Sequence, residues 1–138
     1  LVHQAEINIS TSVRHEVHDL TGRICQIVAE SGVKTGIANV FNLGSTGAVG
    51  TIELEPGLVR DLPKLLDDLV PPGRGYEHEK TWHDGNGHSH LQATLLGPSL
   101  TVPVIDGRLA LGTWQQVFFI ECDVKPHRRR ILVTVIGE

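Results

Sequence analysis

From Leu100 to Ile136 the chain reads LTVPVIDGRLALGTWQQVFFIECDVKPHRRRILVTVI. Three runs within it, Leu100 to Ile105, Val117 to Asp123 and Ile131 to Ile136, are rich in β-branched and aromatic residues, which suit a pleated, half-buried surface. Asp106-Gly107 stands between Val104 and Leu109, and that dipeptide supplies the positive-φ residues of a tight hairpin. Strands joined by so short a turn run antiparallel. The stretch therefore predicts three strands of a mainly antiparallel sheet.

Upstream, Ala5 to Val13 sets Ile7 and Ile9 against polar neighbours, the alternation of a strand. Val17 to Ser31 reads as a helix, with Leu20, Ile24, Ile27 and Val28 on one face, Asp19 or Thr21 as cap and Gly32 as stop. Val33 to Phe41 and Ala48 to Leu54 read as strands, with the polar turn Asn42-Leu43-Gly44-Ser45-Thr46-Gly47 between them. Pro56 to Leu69 is helical in pattern, and Pro63 must either open a second helix or kink the first. Residues 73–90, GRGYEHEKTWHDGNGHSH, read as a long polar loop, followed by a helical turn from Leu91 to Leu96. This order predicts an α+β fold: a mainly antiparallel sheet or sandwich with two or three helices.

The 138 residues suit one domain, 1–138. With 40% hydrophobic and 20% charged residues the chain is not of the disordered class, and no apolar run is long enough to span a membrane. A net charge of −4 argues against a nucleic-acid partner. Cys25 and Cys122 lie far apart in apolar segments, so no disulfide framework is expected and a cytoplasmic location is. Eight histidines, against six aromatic residues in all, direct attention to metal or proton chemistry.

The densest constellation is His78, His83, Asp84, Asn86, His88 and His90. On an extended backbone, imidazoles two residues apart share a side, so His88 and His90 could hold one metal ion, with His78 or Asp84 as a third ligand. The alternative is a solvated loop. The run Lys125-Pro126-His127-Arg128-Arg129-Arg130 is either a phosphate clamp or a charged edge strand, with Arg129 on the face opposite Arg128 and Arg130. Glu121 is a base, a ligand or the partner of a nearby arginine. Ser45 and Thr46 either offer hydroxyls and N–H groups to an anion or simply form the turn. Trp114 reads as core or interface.

The block His88-Ser89-His90-Leu91-Gln92-Ala93-Thr94-Leu95-Leu96-Gly97-Pro98-Ser99, then Val102-Pro103-Val104, Gly107-Arg108-Leu109 and Leu111-Gly112-Thr113-Trp114-Gln115, resembles the YjbQ family over nearly the whole chain. The resemblance implies a homotrimer with a metal-binding cleft, the divalent ion being zinc or magnesium. It also implies a weak, secondary thiamine-phosphate synthase activity, joining hydroxymethylpyrimidine diphosphate to a thiazole phosphate and releasing pyrophosphate. On this reading His78, His88 and His90 hold the metal, while Glu121, Arg129 and Arg130 are catalytic. From the turn itself, rather than from the resemblance, Ser45 and Thr46 are the candidates to meet a small phosphorylated molecule or anion. Two departures stand out: Gly44 occupies a position where many members carry histidine, and Val124-Lys125-Pro126-His127 replaces a common Gly-Pro-Arg. The alternatives are a non-catalytic metal- or anion-binding trimer and a metal-dependent hydrolase.

Overall fold

Strand alternation and two short turns account for most of the architecture in the computed structural model, which describes residues 1–138. In chain order the elements are β1 (Val2–Ser10), β2 (Val17–Asp19), α1 (Thr21–Ser31), β3 (Thr35–Asn42), β4 (Gly47–Ile52), α2 (Pro56–Leu69), α3 (His78–Trp82), α4 (Gly87–Leu96), β5 (Ser99–Ile105), β6 (Arg108–Leu109), β7 (Gln116–Glu121) and β8 (Arg128–Gly137). Five strands form one sheet in the order β1-β8-β3-β5-β6, and three form a second in the order β2-β7-β4. Every pairing is antiparallel, as the sequence predicts.

Along β8, Arg129, Ile131, Val133 and Val135 are buried, while Arg128 and Arg130 point away. The inward residues join Ile7, Ile9, Ala38, Val40, Val102, Val104, Val117 and Phe119 between the sheets, and Leu20, just before α1, adds to them with Ile24, Ile27 and Val28 of that helix. Burying an aliphatic or aromatic side chain of this kind contributes about 1.5–3 kcal/mol. The other face of the small sheet is covered by α2 and α4, where Leu66 and Ala93 meet Ala48, Phe118, Ile120 and Cys122. No helix is long and apolar enough to cross a membrane.

The hairpin at Asp106-Gly107 forms with φ of 51° and 75°, the conformation that dipeptide favours. Helix α2 runs unbroken from Pro56 to Leu69 with Pro63 inside it, so no second helix opens there. The sequence reading fails in two places. Val17–Asp19 is a strand, not the first turn of a helix, because it pairs with Ile120, Phe119 and Phe118 of β7. Helix α1 therefore starts at Thr21, whose N–H is bound by the Asp19 carboxylate at 2.9 Å. The expected loop of residues 73–90 instead contains α3 and the first turn of α4, giving four helices. The Asn86 carbonyl accepts the N–H groups of Ser89 and His90, which starts α4 four residues before its first apolar side chain, Leu91. Trp114, expected in a core or interface, is 70% exposed in this chain.

Candidate functional site

Four loops and turns meet at one end of the sandwich: the β3–β4 turn, the β7–β8 loop, the end of β1 and the α3–α4 junction. What joins them is a buried polar network. Glu121, with no exposed surface, pairs with the Arg129 guanidinium through Nε at 2.8 Å and through Nη2. Glu121 also accepts the Thr11 hydroxyl at 2.7 Å and the Asp123 N–H at 3.0 Å. Arg129 Nη2 donates to the Thr46 hydroxyl at 2.8 Å, and that hydroxyl donates onward to Asp123 Oδ2 at 3.0 Å.

Asp123 is the junction. Its Oδ2 also accepts from His127 Nε2 at 2.6 Å, and its Oδ1 accepts from Asn86 Nδ2 at 3.3 Å and the Val124 N–H at 2.7 Å. Burial alone would raise this carboxyl, but the hydrogen bonds from His127, Val124, Asn86 and Thr46 outweigh it and hold the group below the usual carboxylate range.

Asn86 carries the network outward. Its Oδ1 lies 2.9 Å from His78 Nε2, and Asp84 Oδ1 lies 3.4 Å from the same nitrogen. The His78 and His90 rings approach with centroids 4.5 Å apart. Both line a cleft of about 500 Å³ with Tyr76, Glu77, Gly87 and Leu91. His90 also lines an adjoining cleft of about 180 Å³ whose wall includes Gly44, Ser45 and Gly47. The His90 imidazole thus stands between the two clefts, against the His78 ring.

The sequence-predicted residues divide accordingly. His78 and His90 come together, and Ser45 borders the second cleft beside them. Thr46 is 4% exposed and its hydroxyl is held by Arg129 and Asp123, so it braces the turn. His88 lies elsewhere. On a helix, residues two apart diverge by about 200°, not the near-zero angle of an extended strand. His88 is 2% exposed and its Nε2 has no partner. The titratable groups that act on it are Arg14, Asp67, Glu79 and His15. No group of three His, Cys, Asp or Glu side chains in this chain is arranged to hold a metal ion, and buried His88 stands apart from the His78–His90 pair.

Nor do Arg129 and Arg130 form a clamp. Arg129 points inward to Glu121 and Thr46, and Arg130 lies on the outer sheet face, paired with Glu6. Glu121 is fully engaged and buried, and so serves the network rather than acting as a free base. Gly44 is set by the same packing: a Cβ there would lie 2.9 Å from Arg129 Nη1. Sequence reasoning missed Asp123 and His127 as a pair, although an acid and an imidazole four residues apart beside a basic run was the available signal.

A second polar cluster lies on the far side of α4. Arg14 and Asp67 form a two-pronged ion pair at 2.7 and 2.8 Å. Gln92 donates to Asp67 at 2.9 Å and meets His15 Nε2 at 2.8 Å. The Arg14 guanidinium holds the Asp67 carboxyl at about 2.

The family model described as UPF0047 protein YjbQ-like matches residues 5–138. A UPF0047 protein of Methanothermobacter thermautotrophicus is 43% identical over 137 residues, covering 99% of this chain and 94% of that one. Another from Archaeoglobus fulgidus is 39% identical over 131 residues, covering 95% and 99%. Among solved structures, a YbjQ-like protein of unknown function from Sulfolobus solfataricus P2 superposes with a TM-score of 0.89 at 36% identity, over 100% of both chains. A Clostridium acetobutylicum protein of the yjbq/upf0047 family gives 0.86 at 34% identity, over 96% of this chain and 99% of that one.

Proposed function

The chain belongs to the UPF0047 family of YjbQ-like proteins, and on that premise we propose that it is an enzyme acting on a small phosphorylated molecule in the His78–His90 cleft. The observation that carries the reading is the pairing of two imidazoles, 4.5 Å apart, at a cleft of about 500 Å³, with one of them tied through Asn86 to buried Asp123. An imidazole can act as general acid or general base toward a ligand held against it. Tyr76 and Leu91 offer flat and apolar surface to a heterocycle, and the Ser45 turn beside His90 offers N–H and hydroxyl donors to phosphate oxygens.

The reaction this suits is transfer of the thiamine-phosphate synthase type. The bond from the pyrimidine methylene carbon to the diphosphate oxygen breaks, and pyrophosphate leaves with the bonding pair. The thiazole nitrogen lone pair forms the new carbon–nitrogen bond. In this chain His90 is the group placed to give a proton to the departing oxygen, and His78 orients the substrate beside it. A coupled assay of thiamine phosphate formation tests this with the unmutated protein and His90→Gln. Loss of a general acid typically costs 10²–10⁴-fold in rate. Activity undiminished in His90→Gln, or absent in the unmutated protein, would contradict the proposal and favour a ligand-binding module.

We further propose a homotrimer assembled through the outer face of the five-stranded sheet. Val2, Ile136, Ile37 and Pro103 stand in register across four strands, and Ile37 and Ile136 remain 42% and 45% exposed in the single chain. Exposed apolar rows of this kind mark interaction surfaces. Sedimentation at micromolar concentration should give a species near three times 15.1 kDa, and a stable monomer would contradict it.

A further inference from the structure

We propose that Asp123 is the positioning residue of the cleft: acting through Asn86, it fixes His78 with the proton on Nε2, so that Nδ1 is the atom His78 offers to a ligand. The inference rests on the cleft being the site, and deepens that reading by naming the atom.

The network is directional. The Asp123 side chain is 3% exposed and receives four hydrogen bonds, from Asn86 and Val124 on Oδ1 and from Thr46 and His127 on Oδ2. A carboxylate so surrounded by donors is ionised and only accepts. Asn86 must therefore turn its NH₂ toward Asp123, since the opposite orientation would set one oxygen against another. Its Oδ1 then faces His78 and can only accept, so His78 Nε2, 2.9 Å away, must donate. Asp84 Oδ1, 3.4 Å from the same nitrogen, makes the same demand. His78 Nδ1 has no partner in the chain and is not sealed from solvent.

Asn86 performs a second task with its backbone. Its carbonyl accepts the N–H groups of Ser89 and His90 at the start of α4, so one residue places both imidazoles of the cleft. His127 is held by the same carboxylate, at 2.6 Å, and by the same reasoning carries its proton on Nε2. An imidazole whose orientation and tautomer are fixed by a partner behind it is the usual arrangement in proton-transferring and ligand-holding sites. Here one buried carboxylate serves two imidazoles.

Long-range ¹H–¹⁵N NMR of the histidine rings, without substrate and at a pH where they are neutral, tests the inference. The expected spectrum has His78 and His127 in the Nε2–H form. A dominant Nδ1–H form of His78 in the unmutated protein would overturn the assignment. In Asp123→Asn, confirmed folded by circular dichroism, Asn86 is free to turn, and the minor Nδ1–H population of His78 should rise severalfold. No change there would remove Asp123 from its role. Should Asp123→Asn not fold, Asn86→Leu severs the same link and must give the same rise, with no rise again counting against the inference. Because tautomers are read without turnover, this test and the thiamine phosphate assay fail independently.

Discussion

Arg129 and Glu121 form a two-pronged ion pair in which neither side chain is more than 5% exposed. Arg130, the next residue, pairs with Glu6 on the outer sheet face with 60% of its side chain exposed. Adjacent residues of one strand thus make ion pairs of quite different worth. Removing one partner of a buried pair leaves an uncompensated charge and costs about 3–5 kcal/mol, whereas an exposed pair contributes about 0–1 kcal/mol. Arg129→Ala should therefore lower the urea midpoint sharply or prevent folding, and Arg130→Ala should leave it nearly unchanged. Equal effects in urea denaturation would show that the Glu121 network does not join the loops at this end of the sandwich as described.

Stability should fall as pH drops below neutrality. Burial depresses His15 and His88, each beside the Arg14 guanidinium, so both are neutral when folded and protonate more readily when unfolded. Their contribution is complete above the ordinary histidine pKa of about 6.5 and is lost as pH falls through the window beneath it. Asp67 has the carboxylate sign: the contribution of its pair with Arg14 is complete above the unfolded pKa of about 3.9 and is lost as pH falls from there through its folded value of about 2. His88→Leu removes a buried nitrogen that has no partner, and should flatten the melting-temperature profile between about pH 7 and 5. A profile as steep as that of the unmutated protein would place the sensitivity elsewhere.

Much of the fold is legible in local pattern, and the site less so. Asp106-Gly107 names its turn, and the alternation of Ile131, Val133 and Val135 names the buried face of β8. Pairing decides what pattern cannot. Val17–Asp19 becomes a strand because β7 lies beside it, and no local signal announces that partner. Likewise, α4 begins among Gly87, His88 and Ser89 because the Asn86 carbonyl and Glu79 satisfy its first N–H groups. That helical start turns His88 away from His90, which no spacing rule for strands anticipates. The Asp123–His127 pair depends on Thr46 and Asn86, distant in sequence, to make its role visible.

The two cysteines should differ in reactivity. Cys25 is exposed, whereas Cys122 is fully buried and burial pushes its thiol up to about 12. Since thiolate is the reacting form, a native protein treated with a thiol-specific disulfide reagent at about pH 8 should release the equivalent of one thiol per chain, and two in denaturant. Two equivalents without denaturant would mean that the α2–α4 layer opens readily from the small sheet.

The claim on which the account rests is that the His78–His90 cleft with the Ser45 turn receives the phosphorylated ligand. Titrating ¹⁵N-labelled protein with inorganic pyrophosphate and following the backbone and histidine ring signals tests it most directly. The account predicts saturable shifts that are largest at Ser45, Thr46, His78 and His90, and much smaller in His90→Gln. Shifts confined to Arg128 and Arg130 on the outer sheet face, or none at millimolar pyrophosphate, would contradict it.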